Sequence, residues 1–142
     1  MFAAFPLLAL PVLAYNLIVL TFPQQIHAAD ASPRMTQPLF SVPMTSHVPW
    51  PVSLGDLLLL AALGVLFIEL LKSTTSHSVA IINHALSMLL FIFCLVEFLL
   101  APAFATSAFF LITAMVLMDV LAGFIVTIVS SRRDIDLSRD SV

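Results

Sequence analysis

The tightest constraint on this chain is a set of four long apolar runs, at 2–22, 54–71, 79–100 and 104–129. A membrane-crossing helix needs about 20 mostly apolar residues, and each run meets or approaches that length. The runs are continuously apolar and lack the period-two alternation of a barrel strand, so helices suit them better. A helix also satisfies its own backbone polar groups, as a lipid environment demands. Composition points the same way. Of 142 residues, 61% are hydrophobic and 9% are charged, against about 25% charged in a soluble domain. A water-soluble fold of this size has too little interior to hide so much apolar surface. The expected fold is all-α: a single polytopic membrane domain built as a four-transmembrane-helix bundle.

The first run reads as a span rather than a cleaved leader. No Lys or Arg precedes it, and the stretch IHAAD puts His27 where a cleavage site wants a small residue. Pro6 and Pro11 are expected to distort this helix or make it start late. Orientation follows from the basic residues. Lys72 lies between the second and third runs, and Arg132, Arg133 and Arg139 follow the fourth. In a four-span chain these fall on one side, which the positive-inside rule makes cytoplasmic. Both termini are then inside, and the tail 130–142 is a short solvated end. The 23–53 loop, carrying only Arg34, lies outside.

That outer loop holds six of the nine prolines and no glycine. Proline blocks regular pairing, so an irregular cap or arm is expected. Trp50, between two prolines where the chain re-enters the membrane, is expected to anchor at the interface. His27, Met35, Met44 and His47 are residue types that suit copper. Their spacing is loose and fits no compact motif, so no metal site and no cofactor are expected. The single cysteine, Cys94, allows no internal disulfide.

Polar residues inside the runs carry most of the functional information, because an ionisable group in a bilayer is costly. Asp56 is the weakest candidate: Ser53 three residues earlier makes a capping box at a helix start. Glu69 has Lys72 three residues on, within reach on the same face. Gly55, Ala62, Glu69 and Ser76 recur every seven residues, a small-residue face that lets a neighbouring helix approach. In the third run Asn83, Ser87, Leu90, Cys94, Glu97 and Ala101 form one seam, which should face other helices. His84, Met88, Phe91 and Leu95 form an adjacent stripe. Glu97, near the helix end, either stays protonated or pairs with Arg34. Asp119 lies close to the bilayer midplane, and Asp119, Gly123 and Thr127 share a polar, small face. By depth, its expected partner is His84 or Asn16, unless it is protonated. The plain reading is a buried polar clasp that fixes helix register. The competing readings are proton or cation handling and contact with a partner subunit.

No Gly-rich phosphate loop, catalytic triad or H-E-x-x-H helix is legible, and no inverted repeat of the transporter kind. The net charge of −3 gives no reason to expect a nucleic-acid partner. The segments YNLIVL (15–20), AIINHALSM (80–88), CLVEFLLAPAFATSAFFL (94–111) and DVLAGFIVTIV (119–129) resemble those of uncharacterised four-helix inner-membrane proteins of proteobacteria. The likeness is best over the third and fourth runs and least in the outer loop. It implies a bacterial inner-membrane location and the same helix count, and no activity. Two function classes follow. One is a non-catalytic accessory or scaffold subunit of a larger membrane assembly. The other is a small oligomeric proton or cation channel or transporter using buried carboxylates. The expected partners are the lipid bilayer and other membrane subunits or further copies of this chain.

Overall fold

The computed structural model of the protein describes residues 5–21, 33–73 and 77–139; within these, the side chains of 33–34, 73, 77–81, 127 and 130–139 are not described. The chain runs through α1 (Ala9–Thr21), a single turn α2 (Pro33–Thr36), strands β1 (Pro38–Pro43) and β2 (Pro49–Ser53), α3 (Leu54–Ser73) and α4 (His77–Leu100). A 3-10 turn (Pro102–Phe104) then leads into α5 (Ser107–Arg139).

Among the described residues, three helical segments are long and apolar enough to cross a membrane: Leu54–Lys72, Ile82–Leu100 and Ser107–Val126. The fold is therefore mostly helical, with a small hairpin that the all-α expectation lacked. The first helix differs from its expected span of 2–22. Its described part begins only at Ala9 and has 13 residues, about 20 Å at 1.5 Å per residue. The cause is the expected one: Pro6 lies ahead of the helix and Pro11 sits in its first turn, where a missing N–H costs least.

The loop before α3 also departs from expectation. Prolines did not prevent pairing. β1 and β2 form an antiparallel ribbon in which Phe40 faces Val52, Ser41 faces Pro51, Val42 faces Trp50 and Pro43 faces Pro49, with an irregularity between Pro38 and Phe40. In a two-stranded ribbon both strands are edges, so each needs donors on one side only, and edges tolerate proline. The turn between them closes with the His47 amide donating to the Met44 carbonyl at 3.0 Å. His47 takes a left-handed φ of 62° there.

β2 runs straight into α3 through the expected capping box. The Ser53 hydroxyl accepts from the Asp56 amide at 3.2 Å, and Asp56 accepts from the Ser53 amide at 2.9 Å. Gly55 lets α2 sit on the first turn of α3: a Cβ there would lie 2.7 Å from the Met35 carbonyl oxygen. At the far end, α5 continues through the charged segment to Arg139. The tail expected from residue 130 thus prolongs the helix, to about 50 Å in all.

α5 is the central element, packed along α4 and α3, with α1 against α3 and α5. α1 and α4 run one way, α3 and α5 the other. One end of the bundle is marked by Lys72 and the start of α1, the other by the hairpin. Burial is inverted relative to a soluble protein. The buried side chains include Ser53, Glu69, Asn83, Ser87, Thr113 and Asp119, while Leu17, Leu60, Phe67, Leu99 and Ile125 are each more than 60% exposed. Water would penalise that surface heavily, whereas lipid tails would not.

Candidate functional site

Among the described residues, two groups of polar side chains lie inside the bundle, with an apolar layer between them. The larger group is at the Lys72 end. Glu69, on the penultimate turn of α3, is fully buried. Its Oε2 accepts from the Leu7 amide at 2.8 Å. Its Oε1 accepts from Asn83 Nδ2 at 2.5 Å and from Lys72 Nζ at 3.3 Å. Lys72 also donates to the Phe5 carbonyl at 2.9 Å and to Asn83 Oδ1 at 3.4 Å. The local sequence explains each part. Glu69 and Lys72 are three apart on one helical face. The Lys72 side chain is mostly buried, 24% exposed. Amides at a helix start lack intrahelical acceptors, and Leu7, just ahead of α1, finds Glu69. One carboxylate thereby ties α1, α3 and α4 together.

About one turn deeper, Asp119 is fully buried. Its Oδ2 accepts from Ser87 Oγ at 2.6 Å. Among the described residues its Oδ1 has no partner, and neither ring nitrogen of His84 has one. The His84 ring lies against the Gly123 backbone, so a Cβ at 123 would overlap it. Asp119 is also within electrostatic reach of Glu69, His84 and Lys72. An unpaired buried polar atom costs about 1–3 kcal/mol. Three such atoms make this the least satisfied spot in the described interior.

The second group sits towards the hairpin end. Asn16 Nδ2 donates to Glu97 Oε2 at 3.1 Å and to its own helix at the Val12 carbonyl, 3.2 Å away. Beside it the Tyr15 hydroxyl and Thr106 Oγ1 share a hydrogen bond of 2.5 Å. Thr106 Oγ1 also accepts from the Phe109 amide at 3.2 Å, capping α5. The Tyr15 ring packs on Phe109, with centroids 4.8 Å apart.

Between the groups lie Val12, Ala62, Leu66, Cys94, Ile112 and Val116, all buried. Thr113 is in this layer, but its hydroxyl bonds the Phe109 carbonyl of its own helix at 2.9 Å. Ser87 and Glu97 are ten residues apart on α4, about 15 Å.

The expected site residues thus separate into three places. Glu69, Asn83, His84 and Asp119 come together at the Lys72 end. Asn16 and Glu97 meet towards the hairpin end. Trp50 stands apart in β2, 53% exposed. It borders an apolar groove of about 500 Å³ between the hairpin and the first turns of α3, with Phe40, Val42, Leu57 and Met115. Two pairings need correction. Asp119 bonds Ser87, not His84 or Asn16; Asn16 is taken by Glu97 instead. The expected Arg34–Glu97 pair, and the roles of His27, Ser76 and Thr127, fall on residues or side chains outside the described set. The Ser87–Asp119 pairing had a legible signal. Both residues are almost equally far from the short link 101–106, as are His84 and Gly123, and a tight antiparallel turn pairs positions equidistant from it. The Leu7 and Phe5 backbone contacts had none.

Among the described residues no three His, Cys, Asp or Glu side chains gather as metal ligands would. No family model, curated protein or solved structure matches this chain.

Proposed function

We propose that the protein is a multi-pass membrane protein acting as a non-catalytic accessory or scaffold subunit of a larger membrane assembly. α1 serves as a fourth crossing in this reading. Although short, it touches both ends of its neighbours, through Leu7 to Glu69 and through Tyr15 to Thr106. Both termini lie in the cytoplasm, on the side that collects Lys72 and the tail arginines. The resemblance noted above favours a bacterial inner membrane.

The observation that carries the scaffold reading is the use to which the buried polar groups are put. Glu69, Asn83, Ser87, Asn16 and Glu97 each hydrogen-bond from one helix to another, and the two groups are separated by an apolar layer. Such bonds fix helix register and position. That layer weighs against the competing reading, a proton or cation path, within a single chain. Mild detergent extraction at native expression level, followed by mass analysis, tests the proposal. Unrelated membrane subunits in fixed ratio support it; recovery of this chain alone removes it. Proton or cation flux in reconstituted vesicles that is lost in Asp119→Asn would establish the channel instead.

A further inference from the structure

We infer that Asp119 and His84 form an intramembrane proton-binding site that opens towards the Lys72 end and is closed towards the hairpin end. The inference goes beyond the scaffold reading and does not depend on it.

Asp119 Oδ1 and both His84 ring nitrogens are buried and have no hydrogen-bond partner among the described residues. They sit on adjacent turns of the α4–α5 interface: Ser87 holds Asp119 at 2.6 Å, while His84, one turn from Ser87 on α4, lies over Gly123, one turn from Asp119 on α5. The donor set selects the ligand. A single imidazole presents only one nitrogen to a given ion. The set is then one nitrogen and one carboxylate oxygen. Zinc takes four ligands and calcium six to eight oxygens, so neither is served. A proton is. A neutral imidazole has one N–H donor and one lone pair, and a carboxylate only accepts. With the imidazole neutral and the carboxyl ionised, the pair already holds one N–H donor. One further proton, taken from a hydronium ion by the ring lone pair or the carboxylate oxygen and leaving water behind, adds a second donor that the pair shares through a bridging water. Only an N–H or O–H bond forms, and no oxidant is involved.

Access is asymmetric. Towards the Lys72 end the next polar set begins one turn from Ser87 on α4, with Asn83, which donates to Glu69, and Lys72 binds both and is partly exposed. Towards the hairpin end the path meets Val12, Ala62, Leu66, Cys94, Ile112 and Val116 before the next carboxylate. The titratable and charged side chains facing the site among the described residues are Glu69 and Lys72 from α3, His84 from α4 and Asp119 from α5. Among the described residues, the segment ahead of α1 contributes the Phe5 carbonyl and the Leu7 amide at that level. A site of this design reports the pH of one compartment and biases the α4–α5 contact.

Infrared difference spectroscopy across a pH titration of the full chain in lipid nanodiscs tests this. We expect a protonated-carboxyl carbonyl band that titrates, disappears in Asp119→Asn, and shifts its midpoint by about one pH unit or more in His84→Gln, the size of effect a neighbouring charge exerts. Glu97→Gln should leave that midpoint unchanged. Nitrogen-15 histidine NMR of the unmutated protein gives a check that needs no variant: one imidazole should titrate together with the carboxyl band. A band that ignores His84→Gln, or no imidazole titrating with it, overturns the inference. In vesicles with the protein inserted one way, a pH jump on the tail side should drive the band and one on the hairpin side should not. An equal response from both sides overturns the one-sided access. Co-purification of partner subunits is untouched by any of these results, so the two proposals fail separately.

Discussion

The two polar groups inside the bundle solve the same problem in different ways. Towards the hairpin end, Asn16–Glu97 and Tyr15–Thr106 are neighbouring pairs, each closed by one side-chain bond from α1 to a residue outside it. At the Lys72 end, Glu69, Lys72 and Asn83 form a connected set that also reaches two backbone groups ahead of α1. A pair can be removed at the cost of its own bond. A network cannot, because each loss leaves several groups unsatisfied in a low-dielectric interior. The difference teaches where the fold stores its specificity. The late, proline-delayed start of α1 is held by the network, whereas its hairpin end is held by pairs and ring packing.

The largest expected effect is therefore at Glu69. Glu69→Ala strands Asn83, the Leu7 amide and a lysine, and should cost about 3 kcal/mol, in the range for removing one partner of a buried ion pair. Unfolding in mixed detergent micelles measures it. Glu69→Gln keeps an acceptor and should cost less. If Glu69→Ala costs no more than a single hydrogen bond, the network description is wrong. Gly123→Ala comes next. Its methyl would overlap the His84 ring, so either the ring moves or α4 and α5 part, at about 1–3 kcal/mol for an overpacked contact. Gly64→Ala is the control. Among the described residues nothing lies within 4 Å of a Cβ at that position, and its stability should not fall.

Much of this was legible in the sequence because one physical rule governs it. Apolar length marked three of the helices, and the i, i+3 and i, i+4 spacings placed Glu69 by Lys72 and put Asn83, Ser87 and Cys94 on the buried seam of α4. The Ser53–Asp56 cap was legible for the same reason, being local. What escaped were contacts that depend on how far one helix slides against another. Depth alone offered Asp119 both His84 and Asn16; the tight 101–106 link fixed the slide and gave it Ser87. The hairpin escaped because proline's bar on pairing applies to the middle of a sheet, and a two-stranded ribbon has no middle. The tail helix escaped because its polar composition hid the fact that a long apolar helix supplies the nucleus for it, and extending a formed helix is far easier than starting one.

The smallest effects are expected towards the hairpin end, and they sharpen the contrast most. Asn16→Ala should cost about 0.6 kcal/mol, the average for an interhelical bond in a membrane protein. Tyr15→Phe keeps the ring packing on Phe109 and should cost a similar amount. The informative quantity is their combination. Two independent pairs should lose stability additively, within about 0.5 kcal/mol, even though the residues are neighbours on α1. Lys72→Ala combined with Asn83→Ala should not be additive, since both act on one carboxylate. Should Asn16 and Tyr15 prove as strongly coupled as Lys72 and Asn83, both ends of the bundle are networks, and the specificity of α1 is shared along its whole length rather than held at its start.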